Sequence, residues 1–88
     1  ATASPPARAG RFALQLGAFS DRGLALDLVR RYGRQVPDLR IDTERDDRGQ
    51  LLYKVRSGSY VNPALARDAA DALKRSLGIE VFVAELGG

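Results

Sequence analysis

The chain has 88 residues and a formal charge of +3, and it contains neither cysteine nor histidine. That length supports one small domain with a modest core. The missing residue types exclude disulfides, thiolate chemistry, the usual zinc sites and the common nucleophile–base pairs, so no metal or cofactor is expected. Of the 14 basic residues, 12 are arginine, spread along the chain rather than gathered in the dense stripe of a polyanion binder. Neither a nucleic-acid partner nor membrane contact by the domain itself is expected, since no apolar run approaches spanning length.

Residues 1–10, ATASPPARAG, combine small residues with a Pro-Pro pair and have nothing to bury. They read as a flexible linker, with the domain occupying 11–88. The chain begins at Ala1 without a signal-like apolar segment, so it reads as a piece of a longer protein.

From Arg11 the apolar period is two. Phe12, Leu14 and Leu16 share one strand face, while Ala13, Gln15 and Gly17 share the other. Ser20 or Asp21 is placed to cap a helix that runs to about Tyr32. Its expected buried stripe is Leu24, Ala25, Leu28, Val29 and Tyr32, with Gly33 as a left-handed stop. Residues 35–38 form a loop, and 39–44 make a short polar strand suited to a sheet edge. A charged turn over 45–50 leads into a strand at 51–57, with Leu51, Tyr53 and Val55 on one face and Leu52, Lys54 and Arg56 on the other. Asn62-Pro63 is a strong helix entry. Ala66, Ala69, Ala70, Leu73 and Leu77 supply the second buried stripe, Gly78 ends it, and 79–84 form a last strand.

The chain also repeats itself. A shift of 41 positions pairs Phe12 with Tyr53, Leu14 with Val55, Gly17 with Gly58 and Phe19 with Tyr60. The following helices match at Leu24 and Leu65, and at Ala25 and Ala66. Two copies of a strand-turn-helix unit give the order β-α-β-β-α-β. Right-handed crossovers then favour an α+β ferredoxin-like fold, a four-stranded antiparallel sheet in order 4-1-3-2 with both helices on one face. The repeated motif falls on the two central strands, and the open face centres on Gln15, Lys54 and Arg56.

Each of these side chains carries two readings. Gln15 is an amide suited to sugar hydroxyls or acetamido groups, or a solvated strand glutamine. Arg56 offers a planar fork for a carboxylate, and Lys54 a mobile point charge. Alternatively, both form cross-strand ion pairs with Asp42 or Glu44. Gly17 and Gly58 either admit a ligand to the backbone or bend the strand ends, and the bend is favoured. Phe19 and Tyr60 read as staples beside the helix starts, with the Tyr60 hydroxyl as a lesser contact candidate. The carboxylates Asp42, Glu44, Asp46 and Asp47 cluster at a hairpin, where a solvated turn outweighs paired-acid hydrolysis. With no phosphate-binding glycine loop either, the chain is expected to bind rather than catalyse. RNA binding on this topology stacks bases on outward aromatics of the central strands, and the outward positions here hold none.

The motifs FALQLGAF at 12–19 and YKVRSGSY at 53–60 resemble the two signature stretches of the SPOR (sporulation-related repeat) domain. The resemblance runs from Arg11 to Leu86. It implies a bacterial cell-envelope module that binds peptidoglycan, prefers denuded glycan strands whose stem peptides amidases have removed, and targets its host protein to the division septum. The glycan is expected on the open sheet face. The resemblance and the parity reading together give an expected glycan-binding set of Gln15, Gly17, Ala18, Leu52, Lys54, Arg56, Gly58, Tyr60 and Phe82. Two positions depart from the family pattern: Ala18 lacks a hydroxyl found in many members, and Leu52 replaces an aromatic. Phe82 is the candidate for the last-strand aromatic. Divisome or cell-wall-enzyme partners are implied as further possibilities. A protein-docking module, and after it an RNA-binding domain, stand as the alternatives.

Overall fold

The computed structural model describes residues 11–86; the linker assigned to 1–10 lies outside the described residues. The elements are β1 (Phe12–Phe19), α1 (Arg22–Tyr32), β2 (Leu39–Arg45), β3 (Leu51–Tyr60), α2 (Pro63–Leu77) and β4 (Phe82–Glu85). One antiparallel sheet runs β2-β3-β1-β4, which is the expected order read from the other edge. The two copies of the repeated motif are therefore neighbours at its centre. The fold is α+β and ferredoxin-like.

Two compact units make up the chain: Gln15–Ser57, and the segment ending at Leu14 together with that beginning at Gly58. In the first, Asp21 caps α1, its Oδ1 accepting from Gly23 N at 2.7 Å. Helix α1 packs on β2, and Leu16, Ala25, Val36 and Val55 are buried. Leu24 departs from the expected stripe and stands 52% exposed in the first turn of the helix. Val36 is a core residue that its loop setting concealed. Residues 32–36 form a turn in which Gln35 N and Val36 N both donate to Tyr32 O at 3.0 Å. The loop is pinned from the other side by Ser57 Oγ, which donates to Pro37 O at 2.8 Å.

Gly33 is not the left-handed stop expected of it. Its φ is −60°, ordinary helical backbone. A glycine is needed because a Cβ there would lie 2.6 Å from Val29 O. At the β2–β3 hairpin, Asp46 Oδ1 accepts from both Arg48 N and Gln50 N at 2.9 Å, and Arg45 Nη1 donates to Gly49 O at 2.7 Å. That carboxylate fastens its own turn, as aspartates in tight turns do.

In the second unit, Asn62 caps α2 by accepting from Ala64 N at 2.7 Å, and Pro63 follows where its missing N–H costs nothing. Gly78 ends the helix in the left-handed region, φ 72°, with its N–H donating to Lys74 O at 2.8 Å. Helix α2 packs on β4, and Ala13, Leu14, Ala66, Ala70 and Val81 are buried. Strand β4 covers only Phe82–Glu85, shorter than the stretch read from the sequence. Val81 is buried and Phe82 is 60% exposed, which resolves the ambiguity of three consecutive apolar residues.

Candidate functional site

The β2–β3 register aligns Arg40 with Arg56, Asp42 with Lys54 and Glu44 with Leu52. Side chains alternate along each strand, so all six share one face, while Ile41, Thr43, Tyr53 and Val55 take the other. Gln15 joins the first group through its contact with Arg56 on the adjacent central strand.

Arg56 is the hub. Its Nε donates to Gln15 Oε1 at 3.2 Å, and its Nη1 reaches Glu44 Oε2 at 2.9 Å and Asp42 Oδ2 at 3.4 Å. Glu44 presents its second oxygen, Oε1, to Lys54 Nζ at 2.6 Å. Arg40 closes the far side, with Nη1 on Asp38 Oδ2 at 2.8 Å and Nε 3.5 Å from Asp42 Oδ1. These are charge-assisted bonds, the stronger kind. The Lys54 ammonium, and after it the Arg56 guanidinium, hold the Glu44 carboxyl below its ordinary value against a smaller opposing effect of burial.

The cross-strand ion pairs envisaged from the sequence are thus formed, and they change what each side chain can offer. Arg56 is only 4% exposed, so it does not present an open fork to solvent as its strand parity suggested. Its guanidinium is engaged through Nε by Gln15 on one side and through Nη1 by Asp42 and Glu44 on the other. Lys54 stays 22% exposed and spends one of its three N–H donors on Glu44. Gln15, half-buried, has its carbonyl oxygen occupied by Arg56. What it has left to offer a ligand is the pair of amide N–H donors.

The remaining candidates divide. Ala18 is exposed at the end of β1, and Leu52 is half-buried beside Lys54, where Arg45, Asp46, Asp47 and Arg48 complete a shallow polar depression. The room at Gly17 is already taken: a Cβ there would lie 2.9 Å from the Phe19 ring and 3.3 Å from Leu28 of α1. The Cβ side of Gly17 is thus packed against Phe19 and α1, within β1 rather than at its end. Gly58 repeats the arrangement in the second unit. With φ 73°, its Cβ would meet the Tyr60 ring at 3.0 Å and the Tyr60 oxygen at 3.2 Å. In both copies the aromatic two residues on lies over its glycine. Phe82, in the same unit, projects into solvent from β4.

Arg40 is the member of this cluster that the sequence reading did not name, beside the Asp42 and Glu44 it did. The signal was their common parity on an edge strand opposite Lys54 and Arg56. Among the described residues no cluster could hold a metal ion, and no helix is long and apolar enough to cross a membrane.

A ferredoxin-like α+β domain that gathers amide, ammonium and guanidinium groups on one face of its sheet is equipped for recognition of a polar ligand. The family comparison agrees. The SPOR domain model matches residues 9–85, and the chain belongs to that family. SPOR domains are binding rather than catalytic modules. They bind peptidoglycan in cell division and work in the cell envelope, outside the cytoplasm. No curated protein and no solved structure is matched by the chain.

Proposed function

We propose that the face carrying Gln15, Lys54 and Arg56 binds denuded glycan strands and thereby targets the host protein to the division septum. The observation that carries this reading is the bond from Arg56 Nε to Gln15 Oε1. It fixes the orientation of the Gln15 amide and aims two N–H donors at an acceptor, such as the carbonyl of an N-acetyl group or a sugar hydroxyl oxygen. Arg56 then acts as the positioning residue, and Lys54, with two spare donors, as the group that meets ligand charge.

Removing a stem peptide frees the lactyl carboxylate of N-acetylmuramic acid, so a denuded strand bears one carboxylate directly on each disaccharide. A cation beside a fixed amide donor can read both features at once. Leu52 beside Lys54 is the apolar surface available to a sugar ring next to these groups. Divisome and cell-wall-enzyme partners belong to the host protein under this proposal. Pull-downs with intact and amidase-treated sacculi test it: the chain is retained more strongly by treated sacculi, and Gln15→Ala abolishes the difference. Equal retention by both would remove the denuded-strand reading.

A further inference from the structure

Glu44 bridges two cations of this face, Lys54 and Arg56. One oxygen takes Lys54 Nζ at 2.6 Å and the other takes Arg56 Nη1 at 2.9 Å. A ligand carboxylate recognised by an ammonium and a guanidinium would adopt this same bridging arrangement. The seat is therefore occupied from within. Asp42 is the lesser partner, 3.4 Å from Arg56 and 3.5 Å from Arg40.

We infer that Glu44 is an internal competitor, a carboxylate that a ligand carboxylate must displace to bridge Lys54 and Arg56. The inference rests on the reading that this face binds carboxylate-bearing glycan. Three features make the exchange feasible. Glu44 extends from the edge strand β2, and its side chain is 37% exposed, so it can rotate into water without opening the core. Arg56, by contrast, is held at 4% exposure and stays in place. Asp42 remains beside the guanidinium after Glu44 leaves, so the buried Arg56 keeps a carboxylate partner, while the Lys54 ammonium is partly exposed to water. The lowered titration of Glu44 is consistent with an anion well matched to its seat.

Such an arrangement makes entry of a ligand carboxylate a competition rather than a preference among carboxylates. A small anion alone gains nothing by replacing one carboxylate with another. A glycan that also engages the Gln15 amide gains that second contact, so only the combined ligand wins the exchange. Glu44 thus sets a threshold against stray anions and weakens binding to every carboxylate by a constant factor.

The experiment compares wild type and Glu44→Gln on a short oligosaccharide of alternating N-acetylglucosamine and N-acetylmuramic acid with free lactyl carboxylates, and on its methyl ester. Glu44→Gln binds the free acid about two- to fivefold tighter, the range expected from one partly exposed ion pair, with no gain on the ester. Equal or weaker binding of the acid by Glu44→Gln, with wild-type binding intact, overturns the role of Glu44 and leaves the proposed function standing. Absence of binding by both proteins overturns the proposed function, and this inference with it. A second measurement needs no variant. In wild type at neutral pH, the Glu44 carboxylate carbon resonance moves on saturation with the acid and not with the ester. An unmoved resonance overturns the displacement.

Discussion

Gln15 and Arg56 occupy the same place in the two copies of the repeat, 41 residues apart, and they touch: Arg56 Nε donates to Gln15 Oε1 at 3.2 Å. The repeat brings its equivalent positions face to face at the centre of the sheet. Divergence at this one pair, amide in one copy and guanidinium in the other, turns a structural echo into a polar site. Equal residues here would have paired like with like.

Gln15→Ala should affect binding and stability together. It removes the acceptor of a part-buried donor, at a cost of about 1 kcal/mol in unfolding free energy. Urea unfolding would show this modest drop, while retention on amidase-treated sacculi should be lost. Retention at the wild-type level would refute the assignment of Gln15.

Arg56→Ala should be the more destabilising change. The side chain is 4% exposed and holds Gln15, Asp42 and Glu44. Its loss removes the packing of the aliphatic stem as well as three polar partners, a cost of about 2–3 kcal/mol. Arg56→Lys should recover part of the stability but not the binding, since an ammonium cannot hold the Gln15 amide and Glu44 in one plane. Circular dichroism melts beside pull-downs separate the two effects.

Stability should fall in acid through Glu44. Its carboxyl titrates below the ordinary value of 4.5 in the folded chain, held there by Lys54 first and then Arg56. A depressed folded-state pKa contributes stability that is fully present above the unfolded value and is lost as pH falls through the lowered one. The difference in urea midpoint between wild type and Glu44→Gln should therefore be largest near neutrality and shrink below about pH 4. A difference independent of pH would contradict it.

Gly17, Gly49 and Gly58 should rank by what surrounds them. Gly58→Ala combines positive φ with the Tyr60 ring at 3.0 Å, whereas Gly49→Ala has φ 81° in open space. The left-handed backbone costs about 1–2 kcal/mol at either position, and Gly58 adds displacement of the ring. Gly17→Ala lacks the strained φ but pushes on Phe19 and Leu28, a crowding cost of about 1–3 kcal/mol. Melting temperatures should place Gly58→Ala below Gly49→Ala, and a reversed order would show that the Tyr60 ring yields freely.

Element order, strand order, the cap at Asn62, a cap at Ser20 or Asp21, and the family itself were all legible in the residues. Each depends on local pattern: period two, helical spacing, a capping oxygen, a repeat at fixed offset. Parity also placed Gln15, Lys54 and Arg56 on one face. Tertiary structure alone decided how far each of them reaches solvent. Exposure depends on neighbours distant in sequence, and Asp42 and Glu44 meet Arg56 only because the hairpin aligns Arg40 with Arg56. The same cause hid Val36, buried from within a loop, and reassigned Gly33, whose role is set by the carbonyl of Val29 one turn back. Chain-local pattern could name the charges of the site, but only the strand register could show that one of its own carboxylates already bridges its two central cations.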